Sequence, residues 1–530
     1  MNIPAVLKRQ TVTQAAVLIA ILATFTKIIG LLREVLVAKY FGTSGITDAF
    51  IISMLIPGSL LSIIGGAANI LIIPYYLEKK SLRHEETKKF IVSVTIFWGI
   101  SLTIISSIIF LFSPQFIKII APGFTKETFE LSVILTRYLI FSGFFTIMIG
   151  FFTGIFQAEG QFLIPAFMAL LANTLLILSL VIFHHDLGVF SWTLGQLLYV
   201  IIPFILFIIS LRKFIFPINH NILFIIRDNQ AFKFTLSVFS IAISSNISLL
   251  NLIIDKLSAS NQGKGTIAAL NFSQEILFIP ISIIFSSIVT AIFPTFSNLA
   301  LNISSQKKQY EDKLYRALSI SFYIAIPFTL FMYFLNQPII KLIFERGAFN
   351  SYSTQLTGSL LKMYSIGLFA HAVTLILIRI FYSFKNTSFP LYISLISCTL
   401  NLIANSFLTK YFGAPGIALS TSIIMILSFF LYSISLKKYL NPIPIKLISE
   451  IFKILLSSIP LGYICYLCQP LFHDETASSL HAFISLTIKV AAVGLASVIP
   501  FFALSSLFKL DSFAFLKSYA ISSLKKLTQK

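Results

Sequence analysis

Acidic side chains are scarce in this chain. Asp and Glu number 19 among 530 residues, against 39 Lys and Arg, and charged residues of every kind make up 11%. Long polar stretches are missing as well, so no segment is long enough to form a soluble domain. A soluble protein of this size could not cover its surface with so few polar groups. Cysteine is nearly absent, at three residues, which excludes a disulfide-built scaffold. Cys465-x-x-Cys468 has redox or metal spacing, but it sits in an apolar helix without a second pair or a nearby His, so it reads as packing. His184-His185-Asp186 is a short cluster without further ligands, and it carries no metal site. No Walker motif, nucleophile elbow or metal-ligand cluster occurs, so the chain does not read as an enzyme.

What is present is apolar. Hydrophobic residues reach 57% and the mean hydropathy is +0.92. Runs of about 20 apolar residues, each long enough to cross a hydrocarbon core, recur about 14 times from near Ile21 to near Val490. Backbone groups in lipid must be satisfied within the chain, so the expected fold is an all-α polytopic membrane protein. The net charge of +20 is unevenly spread. Basic residues crowd Lys8-Arg9, Lys79 to Lys89, Arg212 to Lys233, Lys307 to Arg316, Lys437 to Lys446 and the tail after Lys509. With an even number of spans these fall on one side, roughly two dozen against ten or fewer in the alternate loops. The excess therefore reports orientation, with both termini cytoplasmic, and contact with anionic headgroups of membrane lipids. Nucleic acid is not an expected partner, because no basic stretch is interleaved with aromatics outside the spans.

An internal repeat organises the spans. Phe156 to Pro165 recurs in shape as Phe381 to Pro390, each with Phe nine residues before Pro and the two copies 225 residues apart. Asp48 with Asn271, Pro57 with Pro280, Pro74 with Pro294 and Gly123 with Gly347 keep offsets of 223, 223, 220 and 224. A repeat holding about six spans gives two copies of the same orientation, related by an axis along the membrane normal. The expected domains are 1–215 (helices 1–6), 216–440 (helices 7–12) and 441–530 (helices 13–14 with a basic cytoplasmic tail).

Charges inside apolar spans are expensive and mark candidate function. Lys27 and Glu34 are seven residues apart and share a helical face, with Arg33 about a third of a turn away. With Asp48 after them, they are candidates to line a cavity for a large anionic substrate. The competing reading places such charges at a helix end, snorkelling to headgroups, and this suits Lys39 best. Gly65-Gly66-Ala67-Ala68 permits close helix contact. A second polar set is Asp255 with Asn401, Asn405 and Thr421, where the two Asn are four apart on one face. Interhelical hydrogen bonding is the alternative there. Arg379 and Lys362 in the tenth span add candidate cavity charge.

The sequence resembles the lipid II flippase family (MurJ/MviN) of the multidrug/oligosaccharidyl-lipid/polysaccharide exporter superfamily. The resemblance rests on Gly30-Leu-Leu-Arg33-Glu34, Thr47-Asp48-Ala49-Phe50, Ala121-Pro-Gly-Phe124, Ile164-Pro-Ala-Phe167, Phe344-Glu-Arg-Gly-Ala-Phe349, and Gly416 to Ser422. It implies two six-helix lobes plus two C-terminal helices in a bacterial inner membrane. The implied activity is translocation of undecaprenyl-pyrophosphate-linked disaccharide-pentapeptide to the outer leaflet by alternating access. Lys27, Arg33, Glu34, Asp48, Glu275 and Arg379 then become expected substrate-cavity residues. No cofactor is implied. Asp255, Asn401, Asn405 and Thr421 match positions where relatives hold a monovalent cation, so Na+ or the membrane potential is the expected coupling. Cell-wall synthesis proteins are expected partners, and nothing demands more than a monomer. The chain departs from the family after Pro57, where an Arg pair and a Glu are replaced by uncharged residues, and before Pro280, where Ser273-Gln274-Glu275 stands for Asp-Arg. Three further readings stay open: an exporter of another lipid-linked oligosaccharide (O-antigen or exopolysaccharide type), a drug exporter, and a non-transporting cell-wall scaffold. Lys27 and Arg33 argue against cationic drugs.

Overall fold

The computed structural model describes residues 12–82, 84–215, 229–245, 248–440, 445–472 and 480–528. Among them every regular element is helical, as apolar backbone in lipid requires. In chain order the helices are α1 Val12–Phe41, α2 Gly45–Ser53, α3 Leu61–Leu82, α4 His84–Leu111, α5 Ser113–Ile120, α6 Lys126–Leu139, α7 Ser142–Ala158, α8 Leu163–Leu187 and α9 Val189–Ile215. They continue with α10 Asn229–Ser245, α11 Ser248–Ser260, α12 Thr266–Pro280, α13 Ser286–Leu301, α14 Ile303–Phe334, α15 Asn336–Phe344, α16 Ser351–Ser365 and α17 Leu368–Ser383. The last five are α18 Ser388–Phe412, α19 Pro415–Ser435, α20 Ile445–Leu467, α21 Leu480–Leu507 and α22 Asp511–Thr528.

Ten helical stretches among the described residues are long and apolar enough to cross a membrane. The count becomes twelve when α6 with α7 and α16 with α17, bent by 46° and 49°, are each taken as one span. The two remaining expected spans coincide with α1, 30 residues long and carrying four charges, and with the shorter pair α10 and α11.

The chain divides into two compact units. Unit 1 is Met1–Leu249 with Gly263–Ile267, and unit 2 is Leu250–Gln262 with Ala268–Lys530. This differs from boundaries at 215 and 440. The physical reason lies in α10, whose Phe234 is fully buried against Phe90, Trp98 and Phe151. The Trp98 indole also donates to Thr235 Oγ1 at 2.8 Å. Residues 445–528 lie in unit 2, because α20 packs on α14 and on α21.

Within unit 1, α3 and α7 approach until their backbones touch. A Cβ on Gly150 would stand 2.2 Å from the Gly65 carbonyl oxygen, so position 150 admits no side chain. Two of the repeated prolines lie at widened turns. Pro57 lies in a π-helical segment, Leu55–Leu60, and Pro280 immediately precedes another, Ile281–Phe285. A proline removes one N–H and crowds the preceding turn, and a local π turn relieves both.

The Phe-to-Pro repeat has a structural cause. In unit 1, Gly160 takes φ +73°, its N–H donates to the Gln157 carbonyl at 3.0 Å, and the Gln161 N–H donates to the Phe156 carbonyl at 2.9 Å. That pair of bonds is a Schellman helix ending. Unit 2 repeats it with Lys385 at φ +56°, bonded to Tyr382 (2.9 Å), and with Asn386 bonded to Phe381 (3.0 Å). Gly188 and Gly413, also 225 residues apart, end α8 and α18 with φ of +52° and +61°.

Candidate functional site

Unit 1 collects charge on α1. Arg33 Nη2 and Nε both donate to Glu34 Oε1, at 2.6 and 3.1 Å, and Nη1 donates to Asn173 Oδ1 of α8 at 3.3 Å. Glu34 therefore pairs with Arg33, its neighbour in sequence. The Glu34 side chain is 10% exposed, while that of Arg33 keeps 26%. One edge of the guanidinium balances the acid and another remains accessible. Asn173 is fixed in turn by donating to the Ala169 carbonyl at 3.0 Å. Lys27 lies two turns earlier and is exposed. Asn173 was not among the expected residues. Its signal was a polar amide inside an apolar run, without any mark of its partner.

Asp48 is almost fully buried, at 1% exposure. Its Oδ2 accepts the Gly265 N–H at 2.6 Å, across 217 residues of sequence. Ser44 caps the N-terminus of α2 through the Thr47 N–H, which holds Asp48 in the first turn. Gly265 adopts φ +85°, and a Cβ there would lie 2.3 Å from the Thr43 carbonyl oxygen. Lys264, beside it, pairs with Glu127 at 3.0 Å. Segment 263–267 is thus held within unit 1 by a buried acid, an ion pair and a glycine that no other residue can replace.

Unit 2 holds the second set. Asp255 on α11 is 3% exposed. Its Oδ1 accepts from the amides of Asn401 and Asn405, each at 2.9 Å, and its Oδ2 accepts from Thr421 Oγ1 at 3.2 Å. Ser420 closes the network, its single O–H lying within hydrogen-bond reach of the amide oxygens of both Asn residues. The four residues read from the sequence are brought together, and Ser420 joins them. The spacing of Asn401 and Asn405 turns both toward α11. None of the ion pairs among the described residues involves Asp255, and Lys256, the next residue, is buried separately at 7%. A buried carboxylate supported only by neutral donors, among amide and hydroxyl oxygens, offers the hard oxygen set that suits a small monovalent cation. No group of three or more His, Cys, Asp or Glu that could hold a metal occurs among the described residues.

The other expected cavity residues of unit 2 are exposed. Glu275 lies on α12 beside Gln274, whose amide donates to the Tyr364 hydroxyl at 2.8 Å. Arg379 on α17 rests over the rings of Phe293 and Tyr382, at 5.7 and 5.8 Å. His184 stacks on Tyr40 at 4.1 Å, and all three cysteines are free thiols.

Comparison with known proteins gives a consistent result. Residues 37–487 match the family model described as lipid II flippase MurJ. A probable lipid II flippase MurJ of Rickettsia prowazekii (strain Madrid E) is 30% identical, over 78% of this chain and 81% of the relative. One from Aquifex aeolicus (strain VF5) is 31% identical, over 77% and 78%. A solved structure of lipid II flippase MurJ in an inward closed conformation superposes with a TM-score of 0.75 at 26% identity, covering 92% of this chain and 99% of that one.

Proposed function

Because the chain belongs to the lipid II flippase family, MurJ, we propose that it carries lipid II from the cytoplasmic to the outer leaflet of the bacterial inner membrane. The movement is alternating access, and no bond is made or broken. The observation that supports this best is the half-open guanidinium of Arg33, 26% exposed and steered by Glu34 and Asn173. A pyrophosphate is recognised by charge-assisted hydrogen bonds from such a fork, which a lysine cannot reproduce. Lys27, two turns away on the same helix, adds a mobile point charge. Glu34 keeps the guanidinium in place when substrate is absent, and the substrate approaches through its solvent-exposed part.

Transport is coupled to a monovalent cation at Asp255. Asn401, Asn405, Ser420 and Thr421 supply the remaining oxygens, and the cation neutralises the one carboxylate in this cluster. The termini face the cytoplasm, as the loop charges indicate. The uncharged residues after Pro57, Ser59 to Ser62 and Gly65 to Ala67, support a second reading in which the cargo is another lipid-linked sugar pyrophosphate.

The test is complementation of a strain depleted of its lipid II flippase, with lipid II measured on the outer leaflet of the same cells. Rescue with surface exposure supports the proposal. A well-expressed, correctly inserted protein that rescues nothing moves the assignment to a different lipid-linked sugar.

A further inference from the structure

Unit 2 contains a polar cavity of about 450 Å³ that none of the preceding chemistry uses. Its walls are the end of α14 at Phe334, α15, α16, the start of α19 at Pro415, and Gln469 and Phe472 after α20. The loop charges place this end of the unit on the exterior. Local sequence explains its shape. Asn350 caps α16 by accepting the Ser353 N–H at 3.0 Å. Arg346 turns back to the Leu342 carbonyl (2.7 Å) and lies 4.9 Å from the Phe483 ring. Within the Phe344–Phe349 box, Arg346 is therefore turned to the Leu342 carbonyl and the Phe483 ring, and Glu345 is the residue that lines the cavity.

Two ammonium groups enter this cavity without acidic partners. Lys341 donates to the Phe472 carbonyl at 3.4 Å, and Lys362 lies 5.0 Å from the centre of the Tyr333 ring. Neither takes part in an ion pair among the described residues. The one carboxylate of the lining, Glu345, accepts the Thr354 hydroxyl at 2.5 Å. The rest is amide and hydroxyl, notably Asn336, Gln355 and Gln469. A lysine has three donors and no acceptor, and of the two only Lys362, on α16, belongs to a helix pair long and apolar enough to span a membrane, where such a charge marks a ligand path. Two lysines among amides suit an anion attached to peptide groups. The volume lies within the range for small-ligand sites and is too small for a whole disaccharide-pentapeptide.

We propose that this cavity binds the free carboxylate of the peptide arm of the translocated headgroup, with Lys341 and Lys362 holding the carboxylate and the amides the peptide. The inference rests on the flippase reading above. It gives the exterior end of unit 2 a release site distinct from the pyrophosphate-binding Arg33.

The test uses the full chain in lipid nanodiscs. The probe is N-acetyl-alanyl-alanine of D configuration, followed by ligand-observed NMR, and the control is its C-terminal amide. Saturable binding of the acid is expected, with the amide at least tenfold weaker. Lys341→Gln and Lys362→Gln should each weaken the acid at least fivefold, and Lys362→Arg should restore most of the affinity. Thermal unfolding of each variant checks that it folds. Equal binding of acid and amide, or glutamine variants that bind like the parent, would overturn the assignment. So would inorganic pyrophosphate displacing the acid at lower concentration than the acid itself, since the cavity would then prefer phosphate. Lipid II flipping is measured on the same preparation. Flipping without peptide binding rejects the release site alone, whereas absent flipping rejects the underlying function.

Discussion

In unit 1 the buried carboxylate of Glu34 faces a guanidinium at 2.6 Å, whereas in unit 2 that of Asp255 faces two amides and a hydroxyl. The first pair is neutral as it stands and presents a cationic edge to whatever approaches. The second sets a carboxyl group among neutral donors. The two units thus use a buried acid differently, one beside a guanidinium of its own and one among neutral donors, where the proposed cation would sit. Hydrogen bonds to charged groups are roughly twice as strong as neutral ones, and among the described residues Asp255 forms them without an ion pair.

Removing the cation from unit 1 should have the largest effect. Arg33→Ala leaves Glu34 buried without its partner, which costs about 3 kcal/mol, and outer-leaflet lipid II should fall at least tenfold. Arg33→Ala with Glu34→Gln should recover the stability, read by thermal unfolding in detergent, without recovering transport. Should the double variant transport normally, Arg33 has only a structural role.

Asp48→Ala comes next. It leaves the buried Gly265 N–H unsatisfied, at a cost of about 2 kcal/mol. Hydrogen exchange should then rise first in 263–267, and unchanged exchange there would show that the segment is held by Lys264 and Glu127 alone.

Unit 2 is probed with sodium. At tenfold excess over its dissociation constant, Na+ should stabilise the protein by about 1.4 kcal/mol, and Asp255→Asn should abolish the thermal shift. A shift that survives in Asp255→Asn places the cation elsewhere.

The smallest effect compares the two Schellman turns. Gly160 occupies the left-handed position without strain, while Lys385 does so at φ +56°. Lys385→Gly should raise stability by up to about 1 kcal/mol, and Gly160→Ala should lower it by a similar amount. The surroundings of these turns have diverged. Glu159 receives the Tyr76 hydroxyl at 2.5 Å, while Phe384, at the matching position, stacks on Tyr439 at 4.5 Å.

These residues also show how far the sequence could be read. The helical class followed from composition alone, because lipid permits few alternatives to an apolar run. The repeat was visible as Phe and Pro at a fixed offset, but the turn that preserves it was not, since Lys385 carries no sign of a left-handed backbone. Asp255, Asn401, Asn405 and Thr421 were legible as polar residues at helical spacing, and they do meet. Ser420, adjacent to one of them, gave no separate signal. Asp48 stood out as an intramembrane acid, yet its partner is a backbone N–H of a glycine 217 residues away, and only the fold reveals such a bond. The unit that α10 packs in was not legible either: the burial of Phe234 among Phe90, Trp98 and Phe151 reveals it, and no spacing in the sequence marks those partners.

The most direct test of the central claim is transport by the purified chain in vesicles, with labelled lipid II in the inner leaflet and a membrane-impermeant enzyme reporting its arrival outside. Lipid II should become accessible with wild-type protein, faster with an imposed sodium gradient, and at least tenfold more slowly with Arg33→Ala. Accessibility equal to that of empty vesicles, from protein shown to be folded and inserted, would contradict the assignment of this chain as a lipid II flippase.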